Sequence, residues 1–159
     1  MIIKTTVKHL KEYFGVYSLR DIKKGEIIFS IEGKIVFVPS KYSIQVEITS
    51  HIEPFSKDIQ DNLSHWQFLN HSCSPNAFIN IEKSTLVAFK NISVGEEVRF
   101  NYNATEYEMS SPFQCKCGSE KCYGEIKGFK YLSEADQKAL YPKVSPHIQL
   151  LSEKNKHLV

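Results

Sequence analysis

Four cysteines constrain the fold of this chain more than any other feature of its sequence. Cys115, Cys117 and Cys122 lie within eight residues of one another, whereas Cys73 lies in a distant turn. Three thiolates on one short loop can occupy three corners of a tetrahedron around zinc, and a closed structural site requires a fourth ligand. Cys73 is the remaining cysteine, so we expect one structural zinc ion that joins the 115–122 loop to this turn.

Other arrangements of the cysteines stay open at this point. The spacing C-x-C-x4-C is tighter than the usual C-x2-C pair and is only moderately specific for zinc. Three ligands could suffice, some thiols could be unused, or His71 could replace Cys73. Disulfide bonds are disfavoured, because the sequence lacks the apolar stretch of a signal peptide and thiols stay reduced inside cells. We therefore expect an intracellular protein, either nuclear or cytoplasmic.

The composition favours one globular domain that contacts neither nucleic acid nor a membrane directly. The 159 residues are 42% hydrophobic, which is enough for one core. The formal net charge is +2, which gives no long-range field for nucleic acid. No apolar run approaches the roughly 18 residues of a membrane span. A local acidic stretch could suit a basic peptide, or could be only a solvated loop; it comprises Glu96, Glu97, Glu106 and Glu108.

Short runs rich in Val, Ile, Tyr and Phe, separated by turn residues, predict a mostly β chain. The first group is GVYSLRDI, EIIFSI, KIVFVP and YSIQVEI, and the second is AFINI, TLVAFKNI and EVRFNY. In YSIQVEI the apolar residues recur at about every second position. We expect this face, with Tyr42, Ile44, Val46 and Ile48, to point into the core.

Two segments favour helix. Between residues 56 and 70, apolar residues recur at spacings of three or four, which is typical of a short helix or turn. Trp66 lies on this apolar stripe and is expected in the core. In the tail, Ser133 and Asp136 form an N-cap pair before the run ADQKALY, and Pro142 ends the predicted helix.

Three sequence blocks, in a fixed order, carry a resemblance to a known family. They are FLNHSCSPNA at 68–77, GEEVRFNY at 95–102 and CKCGSEKC at 115–122, and FGVYSLRDIKKGEII near the start fits as well. With these blocks the chain resembles SET-domain protein lysine methyltransferases that carry a cysteine-rich post-SET segment. The likeness covers about residues 12–126, and the tail lies outside it.

The resemblance implies a fold as well as a family. It is a SET-domain fold of several small antiparallel sheets with a pseudoknot-like C-terminal segment, short helices and a post-SET zinc loop. Residues 95–108 would then lie against the Asn70–His71 turn. True threading is rare in proteins, so composition and periodicity could not have predicted it. We expect a SET domain at 4–107, a post-SET zinc-binding segment at 108–128 and a partly helical C-terminal extension at 129–159.

The implied reaction moves a methyl group from S-adenosylmethionine to the side-chain nitrogen of a lysine, with S-adenosylhomocysteine as product. The partner would be a lysine-containing protein or peptide, and histone tails are the commonest substrates in the family. The reaction needs donor sulfur, methyl carbon and amine in line, and the amine must lose its proton. A lysine amine has a pKa of about 10.4 in water, which an apolar channel and the nearby sulfonium would both lower.

The resemblance also assigns residues. Tyr102 matches the catalytic tyrosine, which also meets the cofactor. Asn70 and His71 match residues that contact the amino group and adenine of the cofactor, and Phe113 lies where an aromatic ring packs on the adenine. The first cofactor motif falls on Phe14, Gly15 and Val16.

Two further residues are implied in the substrate channel. Phe100 occupies a position where the family has Phe or Tyr, and Phe leaves room for more than one methyl group on the amine. Tyr42 is the candidate for a second channel tyrosine.

The chain departs from the family pattern at two places. The usual Gly-x-Gly reads Tyr13-Phe14-Gly15, which keeps only the second glycine, and Ile31 stands where many relatives have tyrosine. The first glycine normally lets the backbone approach the cofactor. Two alternatives to the enzyme therefore stay open: a catalytically silent SET module that binds a peptide or protein, and a plain zinc-finger interaction domain. The oligomeric state is not predicted by the sequence.

Overall fold

The computed structural model describes residues 4–156, and within them the chain is mostly β, as predicted. Twelve short strands are present in this range. They are β1 (Thr5–Leu10), β2 (Tyr13–Ser18), β3 (Ile27–Ser30), β4 (Lys34–Val36), β5 (Ile44–Gln45), β6 (His51–Glu53), β7 (Asn70–His71), β8 (Ala77–Asn80), β9 (Thr85–Ala88), β10 (Arg99–Phe100), β11 (Phe113–Gln114) and β12 (Glu125–Ile126).

The strands form small sheets rather than one large one. Antiparallel pairing produces the hairpins β1–β2 and β11–β12 and the three-stranded sheets β3–β9–β8 and β4–β6–β5. In contrast, β7 and β10 pair in parallel, with Asn70 opposite Arg99 and His71 opposite Phe100. The predicted contact between residues 95–108 and the Asn70–His71 turn is therefore present, and it is a two-residue strand pair.

Helices are short and concentrate in the tail. The α-helices are α1 (Glu134–Leu140) and α2 (Pro146–Lys156), and the 3-10 turns are Asn62–Phe68, Tyr102–Ala104, Phe129–Tyr131 and Tyr141–Lys143. Ser133 caps α1 by accepting the backbone N–H of Asp136 at 3.2 Å, which confirms the predicted cap. No helix of the described chain has the length and apolar character that crossing a membrane requires. Residues 157–159 of the predicted extension lie outside the described range.

The segment YSIQVEI differs from its prediction. Ile44 is buried, but Tyr42 and Ile48 are exposed, and only Ile44–Gln45 is strand. A turn stands on each side of these two residues. Tyr42 lies in a turn in which the N–H of Ser43 donates to the carbonyl oxygen of Ser40 at 3.3 Å, and after the strand the N–H groups of Val46 and Glu47 both donate to the carbonyl oxygen of Ser50, at 3.0 and 3.2 Å. The chain therefore reverses after two strand residues, and the alternating face ends there.

Two hydrophobic clusters hold the described chain together. The larger one lies between the sheets and includes the fully buried Val16, Leu86 and Val98. Trp66 belongs to it, as expected, and its indole N–H donates to the carbonyl oxygen of Glu32 at 2.9 Å. The smaller cluster packs the tail helices around Ile148. Burial of this apolar surface is the main favourable term in folding.

Candidate functional site

A cavity of about 1260 Å³ opens between the β2 hairpin, the 3-10 turn Asn62–Phe68, the β7–β10 pair and the segment before the cysteine loop. These elements are far apart in the sequence, and the cavity is where they meet. The predicted site residues that line it are Phe14, Tyr42, Asn70, His71, Phe100, Tyr102, Phe113, Cys115 and Cys117. The cavity is large enough for a cofactor and the side chain of a substrate.

Tyr102 lies at the start of a 3-10 turn directly after β10. Its hydroxyl group donates a hydrogen bond to the carbonyl oxygen of Leu69 at 2.5 Å. Burial raises the pKa of Tyr102 above its ordinary value, and the nearby carboxylates of Glu106 and Glu97 act in the same direction. The phenol therefore stays protonated at neutral pH, so Tyr102 can orient a polar group but is a poor base.

His71 links the cavity to the cysteines. Its Nδ1 accepts the backbone N–H of Tyr102 at 3.1 Å, which leaves the proton on Nε2, and Nε2 lies 3.2 Å from Sγ of Cys73. Burial lowers the pKa of His71 to about 4, so the ring is neutral. Phe113 packs edge-on against both His71 and Tyr102, with ring centroids 5.9 Å apart in each pair. His71 is thus a neighbour of the cysteine cluster and holds the backbone at Tyr102.

Asn70 is fixed by two acceptors. Its side-chain amide donates to the carbonyl oxygen of Phe14 at 2.8 Å and to Oε1 of Glu97 at 2.7 Å. Glu97 is buried, and its Oε2 accepts the Nε–H of Arg99 at 2.8 Å. A Cβ atom at Gly15 would lie only 2.7 Å from Oε1 of Glu97. The ring of Tyr17 would lie 2.9 Å from the same Cβ, so a side chain at position 15 would crowd both residues.

The first cofactor motif reaches the cavity through Phe14 but not through the next two residues. Gly15 and Val16 are not among the cavity-lining residues. Val16 is fully buried, and its carbonyl oxygen accepts the N–H of Val98 at 2.8 Å. Tyr13, which stands in place of the first glycine, does line the cavity.

The two predicted channel residues lie at different depths. Phe100 is buried, and its ring centroid is 4.8 Å from that of Tyr102. Tyr42 lies at the edge of the cavity and is partly exposed, with the ammonium groups of Lys41 and Lys57 at 5.7 and 5.5 Å from its ring centroid. An aromatic ring in this position already attracts lysine ammonium groups.

The four cysteines come together as the spacing predicted. Their Sγ atoms all lie within 4.8 Å of one another, and Sγ of Cys73 is 3.8 Å from that of Cys115 and 3.9 Å from that of Cys122. Zn–S bonds of about 2.3 Å in a tetrahedron place the sulfur atoms about 3.8 Å apart. The backbone N–H of Tyr123 also points at Cys73 Sγ, at 3.4 Å. The cluster fits one zinc ion, and Cys73 is the member supplied from outside the loop.

Sequence reasoning did not assign roles to three residues at the cavity. Arg99 and Glu97 form an ion pair next to Asn70, and Glu106 lines the cavity as a buried carboxyl group. Glu97 and Glu106 belong to the acidic stretch that could have been a solvated loop. The structure contradicts that reading for both, because both side chains turn inward. The sequence signal for Glu97 and Glu106 was that they belong to an acidic stretch on both sides of Tyr102.

Comparison with known proteins agrees with the fold. The SET domain family model matches residues 13–103. "Methyltransferase flvH" of Aspergillus flavus is 35% identical over 89 residues, which is 55% of this chain and 49% of that protein. The "Histone-lysine N-methyltransferase, H3 lysine-36 specific" of Candida albicans is 28% identical over 158 residues, 89% of this chain and 18% of that protein. The chain thus spans half or less of the length of these relatives.

One solved structure shows the same fold. KRYPTONITE in complex with mCHH DNA, an H3(1-15) peptide and SAH superposes with a TM-score of 0.58 at 21% identity, covering 79% of this chain and 30% of that chain. The family match extends from Tyr13 to Asn103 and so includes most of the cavity. The cysteine cluster, with three members after this range and Cys73 within it, fits a post-SET zinc segment. This chain belongs to the SET domain family.

Proposed function

We propose that this protein is an S-adenosylmethionine-dependent protein lysine N-methyltransferase. The observation that carries the proposal is the meeting of Tyr102, Asn70, His71 and Phe113 around one cavity. These are the positions to which the family resemblance assigns contact with the cofactor and the reacting amine. Holding the donor and the acceptor in line can supply a large part of the rate enhancement that such a transfer needs.

Residues of this chain would hold the cofactor from two sides. Phe14, Asn70 and His71 would contact it from the β2 hairpin and β7, and the ring of Phe113 would pack on the adenine. S-adenosylmethionine supplies the electrophilic methyl group, and S-adenosylhomocysteine is left. Because Asn70 is already tied to Phe14 by a 2.8 Å hydrogen bond, the two cofactor-facing segments are pre-organised.

The lysine would enter between aromatic rings. Phe100 and Tyr102 would flank its aliphatic chain, and Tyr42 would stand at the entrance. Such rings exclude water from the amine and favour its neutral form, while their faces tolerate a cationic product. Because Phe100 carries no hydroxyl group, we also propose that more than one methyl group can be added.

Zinc would have a structural role. Held by Cys73, Cys115, Cys117 and Cys122, it would close the segment that carries Phe113 over the cavity. The proposed boundaries remain 4–107 for the SET domain, 108–128 for the post-SET segment and 129–159 for the extension. Histone tails or other basic peptides are the proposed substrates, supported by the similarity to the H3 lysine-36 specific methyltransferase of Candida albicans. The proposed location is nuclear or cytoplasmic.

Calorimetry with S-adenosylmethionine, followed by transfer of a radiolabelled methyl group to mixed histones and to an undirected peptide array, tests this function. We expect cofactor binding and label on lysine. The competing hypothesis is a silent SET module that binds a peptide without reaction, which Tyr13 in place of the usual glycine favours. Absence of S-adenosylmethionine binding would decide for that alternative.

A further inference from the structure

Glu106 is a carboxyl group that the proposed reaction has not yet used. It lines the cavity together with Tyr102 and Ile44, and the residue is only 8% exposed. Glu108, two residues later, is exposed and pairs with Lys130 at 3.1 Å. The same acidic stretch therefore has one side chain in solvent and another turned into the cavity.

The carboxyl group of Glu106 is only half satisfied by the protein. Its Oε1 accepts the backbone N–H of Gln45 at 2.8 Å and the hydroxyl group of Thr105 at 3.4 Å. Its Oε2 accepts no hydrogen bond within residues 4–156. The nearest basic group to Oε2 is Nε2 of His51, at 3.8 Å. Oε2 is not fully buried, unlike the unpartnered Nδ1 of His51, so it is open to the cavity that Glu106 lines. A carboxylate oxygen in this position can accept a hydrogen bond from a bound molecule.

The groups around Glu106 do not supply a positive charge. His51 lies on β6, and burial lowers its pKa, with the charge of His147 on α2 acting in the same direction. The pKa of His147 is lowered by burial as well, although the carbonyl of Thr105 and the carboxylate of Glu47 oppose this. From the side of the 3-10 turn, Tyr102 is a protonated phenol. Both histidines are therefore neutral at pH 7, and within residues 4–156 no Lys or Arg forms an ion pair with the carboxylate.

A lysine ammonium group has the charge and the donors that this arrangement lacks. It carries three N–H donors and a positive charge, and pairing with a carboxylate strengthens in a cavity of low dielectric constant. We propose that Glu106 binds the ammonium group of the incoming lysine and takes up the proton that this group loses before methyl transfer. The proposal rests on the proposed function and names the group that recognises its substrate.

The proton and the electrons balance along this path. The ammonium group gives one proton to the carboxylate of Glu106, which leaves a neutral amine with a free electron pair. That pair forms the new N–C bond as the methyl carbon leaves the sulfur of S-adenosylmethionine, and the C–S electron pair stays on sulfur. The product is a methylated ammonium group and a protonated Glu106, which returns its proton to solvent after release.

Burial raises the pKa of Glu106 to about 7, although the donors Gln45 and Thr105 act in the opposite direction. The carboxylate thus exists above pH 7 and can receive a proton near pH 7. This is the range in which a general base is most effective. For binding, an ammonium ligand should gain affinity as the pH rises through about 7, because its own pKa lies above 10.

Binding of n-butylamine, which carries the same end group as lysine, tests the proposal directly. The full chain saturated with S-adenosylhomocysteine is titrated with n-butylamine, and amide shifts in the NMR spectrum are followed at pH 6 and pH 8. We expect the affinity of the unaltered protein to rise between these values and that of Glu106→Gln to be about tenfold weaker at pH 8, with no rise. Glu108→Gln on the same segment is the matched control and should behave like the unaltered protein.

Two outcomes would overturn the proposal: pH-independent butylamine binding by the unaltered protein, or equal affinity of Glu106→Gln at pH 8. If Glu106→Gln does not fold, the pH dependence of the unaltered protein and Glu106→Asp, which keeps the charge, still decide the question. A different measurement would refute the proposed function. If S-adenosylmethionine does not bind, or no peptide is methylated, that function is wrong, whether or not n-butylamine binds.

Discussion

The hydroxyl group of Tyr102 donates its hydrogen bond to the carbonyl oxygen of Leu69, 2.5 Å away. Leu69 directly precedes Asn70, whose side chain is tied to the β2 hairpin through Phe14. The reacting end of Tyr102 and the turn expected to hold the cofactor are therefore joined by one hydrogen bond. The lone pairs of the hydroxyl oxygen remain available to a group in the cavity, because its proton is already committed.

Tyr102→Phe should keep the fold and the cofactor but lose the reaction. Loss of the bond to Leu69 costs about 1 kcal/mol of stability, while loss of the orienting hydroxyl group should lower the methyl-transfer rate by about 100-fold or more. Calorimetry with S-adenosylmethionine and a radiolabel assay measure the two effects. Tyr131→Phe, on the exposed surface, serves as control. A Tyr102→Phe protein with full activity would remove Tyr102 from the catalytic role.

Phe100→Tyr should keep the enzyme active but change the number of methyl groups that it adds. Phe100 is 4% exposed and packs beside Tyr102, so a new hydroxyl group there would hold a water against a methylated amine. We expect the products to shift toward monomethyl-lysine in a mass spectrum of the peptide. Phe78→Tyr on β8, where the ring is 39% exposed, should leave the product ratio unchanged. The same ratio for both variants would refute the channel assignment of Phe100.

Removing one cysteine should disable the site without unfolding the strands. Cys117→Ser, or a strong chelator, should abolish methyl transfer, because Phe113 and the cysteine loop would no longer be held over the cavity. Elemental analysis should find one zinc per unaltered chain and far less in the variant, and circular dichroism should report a retained β signal. Lys121→Ser on the same loop should keep both zinc and activity. Full transfer by metal-free protein would contradict the structural role of the metal.

Gly15→Ala should destabilise the chain by about 1–3 kcal/mol, because its Cβ would lie 2.7 Å from Oε1 of Glu97. The new methyl group would also displace the carboxylate of Glu97, which accepts a hydrogen bond from the side chain of Asn70. Urea unfolding of Gly15→Ala, Glu97→Ala and the double variant measures the coupling. We expect the double variant to lose less stability than the sum of the single changes. Additive losses would mean that Gly15 is needed for another reason.

Glu106 should make stability depend on pH. Its carboxyl group has an ordinary pKa of 4.5 when unfolded and about 7 when folded, so the folded protein binds more protons between these values. The contribution of this group to the free energy of unfolding is present below pH 4.5 and falls, by on the order of 3 kcal/mol, as the pH rises to 7. Relative to the unaltered protein, Glu106→Gln should therefore be more stable at pH 8 than at pH 5. Urea unfolding at both pH values measures this. If the two proteins differ in free energy of unfolding by the same amount at pH 5 and pH 8, burial does not raise the pKa of Glu106.

The cysteine cluster was predictable because three of its four residues lie in one short block of sequence. The loop with Cys115, Cys117 and Cys122 has a spacing that three ligands of one metal can satisfy, and only a fourth cysteine was needed to complete it. The cap of α1 was predictable for a similar reason, since Ser133 and Asp136 are only three residues apart. Local chemistry of this kind is visible without knowledge of the fold.

The remainder depends on contacts that no local pattern contains. The parallel strands β7 and β10 are each two residues long, which is too short for an alternation of apolar and polar residues to be recognised. Their pairing also joins positions about 30 residues apart. The predicted alternation from Tyr42 to Ile48 failed because a turn at Ser40–Ser43 and a turn onto Ser50 leave only two strand residues between them. Burial of Glu106 could not be deduced from an acidic stretch, because it depends on Gln45 and His51 from distant strands.

The position of Cys122 late in the chain determines when the protein can become active during its own synthesis. The cavity needs side chains from Phe14 onward, and its cysteine cluster needs Cys122, so a chain still growing on the ribosome has no complete site until that residue has emerged. Pairing between distant segments is slow compared with local structure. Until then the earlier strands have exposed apolar faces, and newly made chains should depend on chaperones more than mature ones do.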